Sequence, residues 1–138
     1  MPNRGRDWFS QAKRDLEQAR SSQTDGRHEW ACFAAQQSAE KAVKALHLVR
    51  GQEAWGHVIT KLLSELSLDV PAHLIEKAMV LDNFYMMPTR YANGHPEGAP
   101  FEHYGSLQSE GAIRYASEIL EFVSVLMAKQ DESRKGTD

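Results

Sequence analysis

The stretch Ala31-Cys32-Phe33-Ala34-Ala35-Gln36-Gln37-Ser38-Ala39-Glu40-Lys41-Ala42-Val43-Lys44-Ala45-Leu46 decides the fold. It lies within a helical pattern running from about Arg27 to Arg50, with Trp30, Phe33, Ala34, Val43, Leu46 and Val49 expected to face inward. At 1.5 Å per residue that segment is on the order of 35 Å long, a long rod for a chain of 138 residues. Gly51 stands just beyond it, where a helix end favours a residue able to take positive φ.

Helical periodicity continues in both directions. Trp8, Phe9, Ala12, Leu16 and Ala19 recur on one face, predicting a helix over about residues 6–22 that Thr24-Asp25-Gly26 ends. Val58, Ile59, Leu62, Leu63 and Leu66 mark a short third helix. Pro71 suits the first turn of a fourth, which carries Leu74, Ile75, Ala78, Leu81, Phe84 and Tyr85 and stops or kinks before Pro88. Residues 88–105 hold three prolines and three glycines without a period and read as a long loop. Ser106 is a good N-cap for a last helix whose stripe is Ala112, Ala116, Ile119, Val123 and Leu126. Residues 129–138 are polar and expected to be disordered. Five helical patterns without strand alternation imply an all-α, antiparallel up-and-down bundle of four to five helices.

Composition narrows the functional classes. The chain is 41% hydrophobic and 25% charged, ordinary for a globular domain, and its longest apolar run, residues 30–35, is far below a membrane span. Cys32 is the sole cysteine, so an intrachain disulfide is excluded, and with no signal-like N-terminus a cytoplasmic location is expected. A net charge of -3 argues against strong non-specific duplex binding; any nucleic acid would meet a small local site.

That site is sought in Arg90-Tyr91-Ala92-Asn93-Gly94-His95-Pro96. Arginine donates to two phosphate oxygens at once, and histidine suits proton transfer near neutrality. Residues five apart on a regular helix diverge by about 140°, so Arg90 and His95 can converge only where the helix has ended, which Pro88, Asn93-Gly94 and Pro96 favour. The plainer alternative pairs Arg90 with Asp82 or Glu97 and leaves His95 in solvent. Tyr91 and Tyr104 suit base stacking or loop packing. Gln37, Glu40, Lys44 and His47 share a face, either as a polar groove whose Lys44 assists a phosphate or as a plain surface Glu40–Lys44 pair. Trp30 is expected in the core and Trp55 in a loop. His95, Glu97, Glu102 and His103 lie in one segment without the fixed spacing of a metal motif.

Together, the 31–46 helix, the downstream Gly51, His57 and Leu62-Leu63, and Leu81-Asp82-Asn83-Phe84-Tyr85 leading into Thr89-Arg90-Tyr91 resemble the HEPN domain family from Arg4 to about Met127. The resemblance implies one bundle domain over residues 1–128 followed by the 129–138 tail. It also implies a homodimer or higher homo-oligomer, and commonly a nucleotidyltransferase partner in a toxin–antitoxin pair. Active members are metal-independent endoribonucleases with an Arg, four to six residues, His motif, which Arg90 and His95 match, and need no cofactor; in a two-fold dimer two copies of the loop can meet across the interface and supply one histidine each. Inactive members bind nucleotides or partners. Two positions depart from the family pattern: Tyr91 replaces the polar residue usual after the arginine, and Glu97 stands where some members carry a modifiable tyrosine.

Overall fold

Small side chains along one helix set the geometry of the rest. Helix α2 (His28–Val49) buries Ala31, Ala35, Ala39, Ala42 and Ala45. Those alanines let α1 (Gly5–Thr24) approach closely through its own buried Ala12 and Ala19. Ser38 Oγ donates to the Ala12 carbonyl at 2.6 Å, a helix-to-helix bond that only such close approach permits. The computed structural model describes residues 4–84 and 87–136. After α2 come α3 (Ile59–Ser64), α4 (Ala72–Asp82), α5 (Met87–Arg90), a 3-10 turn (Ala92–Gly94), α6 (Pro100–His103) and α7 (Ser106–Gly136). No strand occurs among the described residues, and the expected all-α bundle is the observed architecture.

α2 is the hub, packing against α1, α3, α4, α5, α6 and α7. Its Val43 and Leu46 meet Ile59, Leu62 and Leu63 of α3, Leu74, Ala78 and Leu81 of α4, and Ala116, Ile119 and Val123 of α7 in one continuous core. α1 and α2 both end in Schellman motifs. Gly26 (φ 75°) and Gly51 (φ 73°) occupy the left-handed position, and Arg27 and Gln52 donate back to the Ser22 and His47 carbonyls, each at 2.8 Å. None of the described helices is long and apolar enough to cross a membrane.

Several sequence expectations need correction. Trp30 is not core: it is 48% exposed, because Ala31, Cys32 and Ala35 fill the inward positions and its indole lies edge-on to Phe33 at 6.3 Å. α4 ends at Asp82 instead of running on toward Pro88, and Phe84 turns onto the Tyr104 ring at 5.7 Å. Tyr85 lies outside the described residues. The expected irregular loop 88–105 contains two single helical turns and a 3-10 turn. Beyond Leu126 the helical ladder continues through the polar stretch expected to be disordered, as far as Gly136. Ala128, Lys129, Gln130 and Glu132 are good helix formers, and Arg6 of α1 holds Asp131 at 2.7 Å.

Asp82 explains where α4 stops. α3 begins at Val58, which offers no side-chain cap, and Asp82 supplies one from a different helix. Its carboxylate accepts from the Ile59 N–H at 2.7 Å, the Thr60 N–H at 3.1 Å and the Thr60 hydroxyl at 2.6 Å. Asp82→Ala is therefore expected to lower stability by about 1–3 kcal/mol in chemical denaturation. Asp82→Asn, which keeps one acceptor oxygen, should cost distinctly less.

Candidate functional site

The segment between α4 and α7 carries the predicted motif and is anchored at both ends by aromatic rings. At its start, the Arg90 guanidinium carbon lies 4.2 Å from the centre of the Phe33 ring on α2 and 5.5 Å from Tyr91's. Cation–π attraction of this kind contributes about 0.5–2 kcal/mol and helps to orient the guanidinium. At its end, Tyr104 packs on Phe84, and burial pushes its phenol up to about 12, with the nearby Cys32 adding to the shift. Tyr104 therefore stays a hydroxyl donor at every ordinary pH. Burial also raises the Cys32 thiol to about 12, which removes a thiolate nucleophile from consideration.

His95 stacks in parallel on His103, with ring centres 4.0 Å apart and planes 4° apart, and meets the Tyr104 ring edge-on at 5.9 Å. His103 Nε2 donates to the Glu97 carbonyl. Arg90 and Tyr91 are thus brought together over α2, and His95 and Tyr104 beside α6. Asp82, one candidate partner of Arg90, is engaged by the α3 N-terminus instead. Among the described residues, no three His, Cys, Asp or Glu side chains cluster in a way that could hold a metal.

Glu40 and Lys44 form a second group. They lie roughly 10 and 16 Å along the helix axis from Phe33. The surface pair that spacing allows is in fact buried: Glu40 is 4% exposed, and its carboxylate takes Lys44 Nζ at 3.1 Å, Gln36 Nε2 at 3.2 Å and His57 Nδ1 at 3.1 Å. Gln37 extends this chain by donating to Gln36 Oε1 at 2.7 Å. Lys44 also lies 5.8 Å from the Trp8 ring centre. His47, expected on the same face, is buried and donates to the Leu62 carbonyl at 2.7 Å.

A third feature escaped the sequence. A cleft of about 490 Å³ opens between α1 and α2, lined by Asp15, Gln18, Arg27, Trp30, Phe33 and Lys41 among others. Phe33 is shared: it lines this cleft and supports Arg90. The available signal was Trp30 and Phe33 standing beside the small residues Ala31, Cys32 and Ala35 that fill the inward face.

Truncating Glu40 removes the carboxylate that Lys44 and Gln36 share in a largely buried group. Glu40→Ala should cost about 3–5 kcal/mol in urea unfolding, and Glu40→Ala combined with Lys44→Met should recover part of that loss.

The HEPN domain profile matches residues 6–126. Three solved structures are similar over most of their length. TT1696 from Thermus thermophilus is 50% identical, with a TM-score of 0.88, covering 91% of this chain and 99% of that one. ST0689, an archaeal HEPN homologue, is 42% identical, with a TM-score of 0.77 and coverage of 90% and 97%. The HEPN domain protein tm0613 from Thermotoga maritima is 34% identical, with a TM-score of 0.72 and coverage of 88% and 98%. Among curated proteins nothing matches. The helical architecture, the profile and these relatives agree: this chain belongs to the HEPN domain family.

Proposed function

We propose that this chain is a metal-independent endoribonuclease, the toxin component of a pair with a nucleotidyltransferase, acting as a homodimer across which Arg90 holds the scissile phosphate and His95 transfers a proton. The observation that carries this reading is the placement of Arg90 and His95 on one aromatic-anchored segment. Phe33 orients the guanidinium there, and His103 with Tyr104 orients the imidazole. Cleavage of RNA needs a cation on the phosphorane, a base for the 2′-hydroxyl and an acid for the 5′-oxygen. An arginine and a histidine supply two of those three roles.

Arg90→Ala and His95→Ala are each expected to reduce cleavage of single-stranded RNA in the presence of chelator by about a hundredfold or more. Intact RNA with the wild-type protein would defeat the proposal. Equal cleavage by all three proteins would point to a contaminating nuclease.

Association of two copies across this segment belongs to the same reading. Phe101 and Leu107, 64% and 80% exposed, flank it on α6 and the start of α7. Sedimentation equilibrium should give twice the chain mass for the wild type, and Phe101→Glu with Leu107→Glu should give a monomer. An unchanged mass would remove these side chains from the interface.

The cleft between α1 and α2 favours a second reading, a module that binds a nucleotide without cleaving RNA. Trp30 and Phe33 offer ring faces there, and Arg27 and Lys41 offer charge. Calorimetric titration with nucleoside triphosphates separates the two: saturable binding lost in Trp30→Ala, without RNA cleavage by the wild type, would select the second.

A further inference from the structure

Within one chain, His95 alone cannot be both the acid and the base of a single cleavage step. We propose that His103 is the second proton-transfer group of this site, within the same chain as His95; this rests on the ribonuclease reading above. Three features of the fold converge on it.

The first is the stack itself. The ring centres are 4.0 Å apart and the planes within 4° of parallel, so two imidazoles sit together at this point of the segment. The two apical oxygens of a phosphorane are separated by two P–O bonds, a span comparable with that stacking distance. Two proton-transfer groups at that spacing match the attacking and the leaving oxygen of one phosphorane.

The second is the tautomer. A carbonyl can only accept, so the contact with Glu97 places the proton of a neutral His103 ring on Nε2 and leaves the lone pair on Nδ1. His103 is thus poised as the base. His95, resting on it and on the edge of Tyr104, takes the role of acid.

The third is Gly98, with φ of 81°. A Cβ there would stand 3.1 Å from His103 Nε2 and 3.2 Å from Glu102 Oε2. Glycine at this turn leaves room for His103 to reach the Glu97 carbonyl while remaining on the His95 ring.

The step balances. The 2′-hydroxyl proton passes to His103 Nδ1 as O2′ bonds to phosphorus, and the P–O5′ bond breaks as protonated His95 gives its proton to O5′. The products are a 2′,3′-cyclic phosphate and a 5′-hydroxyl. One proton has moved from His95 to His103, and exchange with solvent restores the starting pair. Among the described residues, the titratable side chains near the pair include Glu102, whose Oε2 lies beside the same turn, and Tyr104, which stays protonated throughout.

The test compares wild type, His103→Phe, His103→Gln, His103→Ala and His95→Phe on single-stranded RNA with chelator, between pH 5 and 9. Phenylalanine keeps a ring for stacking and removes both nitrogens; glutamine keeps an N–H for the Glu97 carbonyl and remains informative if the phenylalanine variant does not fold. The His103 variants are each expected to lose about a hundredfold or more in rate. They should also turn a two-limbed pH profile into a single limb, and added imidazole should partly rescue His103→Ala. Wild-type rate and profile in His103→Phe or His103→Gln, with His95→Phe inactive, would overturn the role of His103 and leave the ribonuclease reading standing. No cleavage by the wild type would overturn both.

Discussion

A helix enclosed on nearly every side draws the partners of its buried polar side chains from within the protein. α2 is such a helix, and Gln36, Ser38, Glu40 and His47 are all buried on it. Each has a partner from outside its own turn or four residues along. Ser38 bonds the α1 backbone and His47 the α3 backbone, while Glu40 gathers Lys44, Gln36 and His57. These bonds fix the neighbouring helices in register, because a buried polar atom left unpaired is costly and an alternative packing would strand several at once. The alanines of the same helix set how closely the neighbours approach; the polar groups set where along the rod they stop.

The candidate site depends on that hub indirectly. Phe33 sits on α2 one to two turns before the buried polar chain, at the level where Arg90 arrives. Since α4 stops at Asp82, which caps α3, the chain is released to cross back over α2. A longer α4 would carry Arg90 away from Phe33. The stop is therefore set by an electrostatic bond with another helix more than by a proline. Tyr104 closes the segment at its far end on Phe84, so both ends of the motif-bearing stretch are held by rings and the polar residues between them need no regular structure.

Membership in the HEPN family fixes the bundle, while the chemistry belongs to a few side chains that the bundle holds in place. The ribonuclease reading and the nucleotide-binding reading draw on adjacent surfaces. Phe33 is common to both, lining the α1–α2 cleft and supporting Arg90. A ligand ring in that cleft and a phosphate at Arg90 would thus share one wall.

What the residues alone determined was the five main helices and where α1 and α2 end. Periodicity is local, and so are the Schellman glycines Gly26 and Gly51, whose positive φ is a property of the turn itself. The Arg90–His95 spacing was equally visible. The tertiary structure alone decided which helical face is the core: Trp30 lost its place to Ala31, Cys32 and Ala35, because close approach to α1 rewards small residues that a hydrophobicity pattern undervalues. It also decided that Glu40 is enclosed and not a surface charge, that Asp82 caps a helix from which it is 22 residues removed, and that His103 lies on His95. Each of these is a contact between segments distant in sequence or turned back on each other by a loop. Spacing along a chain carries distances only while the backbone keeps a regular period.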